Sequence, residues 1–158
     1  MRSLGSAYLS VERHVSLPVL VARWHRSVMP FELHAGYAAM LDVAVACRCR
    51  FWLIDIQQRA ALTGNDAQWL LEQFFPQLQP RLGHSTFLAY LMAPHQLAGL
   101  LADIGVPDEA YFAERPYRLQ RFTAEAEALA WLQHCRRDEA AERRRMARSS
   151  AAQARLKN

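Results

Sequence analysis

The chain has 158 residues, 52% of them apolar, 22% charged and 10% aromatic, with six glycines and seven prolines. That composition suits one globular domain able to bury a core without disulfides or a metal, and it excludes collagen, disordered low-complexity chains and repeat arrays. Nineteen basic residues against fifteen acidic give +4, yet residues 136–158 alone hold eight basic and three acidic side chains, leaving 1–135 at −1. A nearly neutral body has little field to steer a polyanion, so nucleic acid is not expected as a partner.

Three cysteines, Cys47, Cys49 and Cys135, make an odd number with no second ligand pair, which argues for a reducing compartment over a disulfide scaffold or zinc site. Residues 1–10 contain no apolar signal core, and the richest apolar stretch, 38–47, is broken by Asp42 well short of the ~20 residues of a membrane span. A soluble cytoplasmic protein is expected.

Along the chain, residues 8–13 alternate Tyr8, Ser10, Glu12 against Leu9, Val11, Arg13. Residues 18–25 alternate Val19, Val21, Arg23 against Leu20, Ala22, Trp24, so both segments read as half-buried strands joined by a turn at Ser16 and Pro18. From Pro30 the period becomes helical, through His34, Tyr37, Leu41 and Val45 to about Arg48. Residues 51–56 form an apolar run ending at Asp55, the pattern of a strand covered on both faces. A second helix begins at a capping Asn65 with Gln68 reaching back, buries Ala67, Leu70, Leu71, Phe74 and Leu78, and is kinked or stopped by Pro76.

Residues 86–93 repeat the buried-strand pattern, and Pro94 opens a short helix that Gly105 stops. An irregular acidic stretch over 106–114 leads to a final strand at 117–122, and Thr123 caps a last helix with Glu125 and Glu127 in its first turn. Its core stripe is Ala128, Trp131, Leu132 and Cys135. The order predicts one α/β domain: a mixed sheet of about five strands with an N-terminal antiparallel hairpin, right-handed crossovers, and about four helices packed on it. The body is 1–135, and 136–158 is a basic, Arg/Ala-rich helical extension or disordered tail. A ligand cleft is expected at the strand ends near Asp55 and Ala93.

The succession of a meander, a helix, Phe-Trp-Leu-Ile-Asp at 51–55, a helix, Leu-Ala-Tyr-Leu-Met at 88–92 and Arg-Phe-Thr-Ala-Glu-Ala-Glu-Ala-Leu-Ala-Trp-Leu at 121–132 resembles small bacterial SpoIIAA-like proteins of the STAS superfamily. The resemblance covers about residues 8–132. It implies a STAS-like domain that is non-catalytic and binds partner proteins, sometimes under phosphorylation control, while the related CRAL-TRIO-like lipid-transfer shape encloses apolar ligands. The Asp-Ser-Ser-Gly segment carrying the phosphorylated serine of anti-sigma factor antagonists is replaced here by Asp55-Ile56-Gln57-Gln58 and residues 59–64. Thr63 is the one hydroxyl in that loop, and with nothing else marking a kinase site its phosphorylation is not expected.

Asp55 is the leading single candidate, because a carboxylate ending an apolar strand must face a cleft, pair with a neighbour such as Arg59, or accept loop amides. The last of these, a structural role, is the simpler reading. The six histidines are scattered without a metal-binding spacing, and no glycine-rich loop, nucleophile elbow or carboxylate pair is present. No catalytic residue, metal or cofactor is expected. Trp24, Trp52, Trp69, Phe74, Phe75, Tyr90 and Trp131 fall on or beside core-facing positions and read first as core, while Trp69 and Phe75, beside the main stripe of the second helix, are the ones suited to line an apolar pocket or a protein interface. The arginines at 143–145 and 148, with no aromatic after Trp131, read as a solubilising extension.

The expected function is therefore a regulatory or interaction domain that binds a protein partner, or a second copy as a homodimer, around Asp55, Gln57, Arg59, Thr63, Trp69, Phe74, Phe75 and Tyr90. The alternative is a carrier or sensor of a small apolar, lipid-like molecule in a pocket between helices and sheet, lined by Trp52, Phe74, Tyr90 and Leu97.

Overall fold

The computed structural model describes residues 4–157. A two-residue edge strand, β1 (Leu4–Gly5), too short to show an alternation, pairs antiparallel with β2 (Leu9–Arg13), and β2 pairs antiparallel with β3 (Leu20–Trp24). From β3 onward the sheet is parallel through β4 (Phe51–Asp55), β5 (Thr86–Leu91) and β6 (Tyr117–Phe122), in the spatial order β1-β2-β3-β4-β5-β6. The domain is α/β with the antiparallel start and mixed sheet that the pattern predicts.

Helix α1 (Pro30–Cys47) begins at a proline that has no amide to leave unpaired, and Glu32 reaches back to accept from the Met29 amide at 3.0 Å. It closes on Arg48 in the left-handed conformation, so Cys49 lies outside it, with its thiol 3.4 Å from the carbonyl oxygens of Pro18 and Phe51. The cap of α2 (Gly64–Trp69) is Thr63, not Asn65. The Thr63 hydroxyl accepts from the Asp66 amide at 3.3 Å, and the cap falls two residues earlier than expected.

Pro76 has the effect its chemistry demands. Its missing amide and its ring break the ladder, and the chain passes through a π-turn (Leu70–Phe74) and a 3₁₀ turn (Phe75–Gln77) before α3 (Leu78–Leu82). Helix α4 (Pro94–Ala102) follows β5, and the stretch expected to be irregular contains a helical turn, α5 (Glu109–Ala113), capped by Asp108. The last helix, α6 (Glu125–Leu156), has Ala124 rather than Thr123 at its cap and runs 32 residues without a break.

The parallel strands advance in one direction, so crossovers of one hand place every intervening helix on the same face. Trp24, Trp52, Ile54, Leu88 and Tyr90 turn to that face and pack with Leu33, Tyr37, Phe74 and Leu78. Only α6, arriving after the edge strand, covers the other face, where Ala128 and Leu132 meet Val21, Leu53, Ala89 and Leu91. Strand β3 is consequently buried on both faces apart from Arg23, not half-buried as its alternation suggests. Gly36 lets α1 lie directly on the sheet, since a Cβ there would come within 2.5 Å of the Trp24 indole.

The strand order never reverses, and this has a consequence for the expected cleft. A crevice opens where successive connections leave to opposite faces. Here both leave to the same face, and Gln96 of α4 bridges the gap by donating to the carbonyls of Ile56 and Arg59, each at 2.9 Å.

Candidate functional site

The residues nominated around the end of β4 fall on two sides of the sheet. Asp55 points toward α6. Its carboxylate accepts from Arg23 at 2.8 Å and from the Gln57 amide at 3.0 Å, while Arg23 also holds Glu125 at 2.6 Å. Burial draws the Arg23 guanidinium down, but hydrogen bonds to Glu125 and then Asp55 outweigh it and leave its affinity for the proton raised. Asp55 thus ties β3, β4 and the following loop together, its partner is Arg23 and not Arg59, and Gln57 and Thr63 lie exposed in the loop beyond it.

On the opposite face, beneath that loop, lies Arg59, only 5% exposed. Its guanidinium sits 5.0 Å from the centre of the Trp24 ring, and its Nε and Nη1 are covered from solvent with no acceptor among the described residues. Two further nitrogens of the cluster are in the same condition: Trp24 Nε1 and His34 Nε2. A buried cation with unpaired donors costs several kcal/mol relative to one that is matched.

An aromatic wall surrounds it. Tyr90 and Tyr37 join hydroxyls at 3.0 Å, Tyr37 packs on Trp24 at 5.5 Å and on Phe74 at 4.9 Å, and Trp69 stacks on His34 at 3.9 Å. Burial, reinforced by Tyr37, pushes the Tyr90 phenol well above its ordinary value, against the opposite pull of Arg59, so it stays a neutral hydroxyl. Phe75 is buried against Tyr117 at 4.9 Å, on the side toward β6. The structure therefore gathers Arg59, Trp69, Phe74 and Tyr90 on one side of the sheet and leaves Asp55 on the other. Trp52, Phe74 and Tyr90, nominated as the lining of an apolar pocket, are packed into the core itself.

Residues 56–63 form a strap that encloses the Arg59 side chain; at its start the Ile56 amide donates to Leu91 at 2.9 Å and the Gln57 amide to Asp55. Ser27 Oγ accepts from the Ala60 amide at 3.0 Å, and Gln96 holds the carbonyls of Ile56 and Arg59. Beside the Ser27 anchor stand two large apolar side chains in the open, Met29 at 59% and Phe31 at 71% exposure. Sequence reasoning misses Ser27, Gln96 and the roles of Trp24, His34 and Tyr37 here, because their shared position depends on contacts across distant segments.

An open groove of about 710 Å³ runs between β6 and α6, bordered by Phe87, Trp131, Cys135, Arg118 and Glu142. Burial, and after it Asp138, pushes the Cys135 thiol up to about 11. Among the described residues no group of three or more His, Cys, Asp or Glu side chains could hold a metal ion, and no helix is long and apolar enough to cross a membrane.

No family model matches the chain, and no curated protein does either. Among solved structures it is similar to an uncharacterised protein of the DUF3478 family with a SpoIIAA-like fold from Shewanella loihica PV-4, at 17% sequence identity and a TM-score of 0.44, over 78% of this chain and 91% of that one.

Proposed function

We propose that the chain is a non-catalytic, cytoplasmic interaction domain that binds a protein partner through the strap over residues 56–63 and the adjoining start of α1. The partner segment is acidic and apolar in alternation. Its carboxylate pairs with Arg59 and its apolar side chains cover Met29 and Phe31. The observation that carries the reading is the buried guanidinium of Arg59, whose Nε and Nη1 have no acceptor among the described residues. Trp24 Nε1 is a further donor without an acceptor, so an anionic group is the ligand type the cluster matches.

Gln57, Gln58, Ala60 and Ala61 are exposed, and a peptide arriving on the Phe31 side displaces the Ser27 anchor and forms a charge-assisted pair with Arg59, while Gln96 keeps its hold on Ile56. A library of random displayed peptides selected on the purified chain tests this. Enrichment of Asp or Glu flanked by apolar residues is expected, with binding of the selected peptides at least tenfold weaker to Phe31→Ser and to Arg59→Gln. Selected peptides without acidic residues, or binding indifferent to both substitutions, overturn it. Phe31 is exposed, so an unchanged melting temperature for Phe31→Ser separates lost binding from lost folding.

A further inference from the structure

The charged residues of α6 are sorted by face. At about 100° per residue, Ala128, Leu132, Cys135 and Glu139 turn toward the sheet, and Arg137, Arg144, Arg148 and Arg155 fall within about 20° of a line on the opposite side of the helix. All four are exposed, and none forms an ion pair with any described residue. The acids are spent elsewhere: Glu139 on Arg50 and Arg143, Glu142 on Arg145, and Asp138 on His134. The outward line from Ala126 through Ala130, Gln133, Arg137, Ala141, Arg144, Arg148 and Ala151 to Arg155 contains no acidic residue.

We infer that this arginine line is a docking strip for the sugar–phosphate backbone of a nucleic acid duplex, bound without regard to sequence. The four guanidiniums span about 27 Å of helix, the axial length of about eight base steps. A guanidinium's planar fork suits a phosphate oxygen pair. The small residues between the arginines let a strand approach closely. The rest of α6 argues against a lipid surface: after Cys135 its apolar side chains larger than alanine are Met146 and Leu156, too few and too far apart for a face that buries in a bilayer. The near-neutral net charge of 1–135, which sets nucleic acid aside on composition, is a statement about the body alone. The strip projects from the side of α6 that the body does not cover.

The test is fluorescence anisotropy with a labelled mixed-sequence DNA duplex, using the full chain over a salt series. One variant carries Arg137→Gln, Arg144→Gln, Arg148→Gln and Arg155→Gln; a control carries Arg136→Gln, Arg143→Gln and Arg145→Gln. The wild type is expected to bind with a slope of log affinity on log salt of about −3 to −4, as four released counterions require. The strip variant is expected to lose at least tenfold in affinity and most of that slope, and the control to keep both, with far-UV circular dichroism confirming helix content in each. Equal loss in the two variants means that bulk charge is sufficient and overturns the strip. Binding to phosphatidylserine vesicles with none to the duplex overturns the ligand class.

Discussion

Arg23 and Asp55 stand opposite one another in the β3–β4 register, and their side chains meet at 2.8 Å on the face of the sheet that α6 covers. Because the second fork of Arg23 holds Glu125 in the first turn of α6, one arginine joins two central strands to the C-terminal helix. The pair explains a charged residue at the end of an apolar strand without a ligand.

Arg23→Met leaves the largely buried Asp55 carboxylate without its cation and is expected to lower unfolding free energy by about 1–3 kcal/mol. Glu125→Gln removes only the more exposed partner and should cost less than about 1 kcal/mol. Urea unfolding of the two variants checks the order. Equal effects would mean that Asp55 finds another donor.

Gly36→Ala places a Cβ 2.5 Å from the Trp24 ring and 3.1 Å from Leu9, both fully buried and unable to give way. Alanine favours the helix by up to about 1 kcal/mol, but the overpacking of α1 against the sheet should reverse the sign and destabilise by about 1–3 kcal/mol. A melting temperature at or above that of the wild type contradicts the close approach.

Arg59→Met keeps the length of the side chain and removes the unpaired buried charge. The free protein is expected to gain about 1 kcal/mol while losing peptide binding, the trade-off of a residue kept for recognition. Destabilisation instead would assign Arg59 a packing role on Trp24.

Glu32 is held down to about 2, first by its hydrogen bonds with Arg26 and then by the Met29 amide at the start of α1. A carboxyl whose folded pKa is depressed stabilises the fold above its ordinary value, and that contribution disappears as pH falls from about 4.5 through 2. The melting-temperature gap between the wild type and Glu32→Gln should therefore be steady at neutral pH and close over that acid range. A gap independent of pH would place the effect of the substitution elsewhere than in the charge.

Much of this architecture is legible locally. The alternation of Leu9 and Val11, the proline at the start of α1, the apolar run before Asp55 and the break at Pro76 each depend on neighbours within a few positions, and each gives the element expected. The structural role of Asp55 follows from the same reasoning, since a buried carboxylate must find donors wherever it points. The cap at Thr63 and the turn α5 escape because such short elements are too brief to show a period, and their starts are marked by single side-chain bonds from Thr63 and Asp108.

The partners escape for a different reason. Arg23 reaches Asp55 across 32 positions, Ser27 holds Ala60 across 33 and Gln96 holds Ile56 across 40. The sequence by itself determined the longer strands and helices, where the core stripes run and that the positive charge gathers at the C-terminal end. Only the tertiary structure decided that Asp55 and Arg59 face opposite sides of the sheet, that two guanidinium nitrogens of Arg59 are enclosed with no acceptor among the described residues, and that α6 turns its arginines outward. Periodicity is a property of neighbours along the chain, whereas burial and charge pairing are set by segments that meet only once the sheet has assembled.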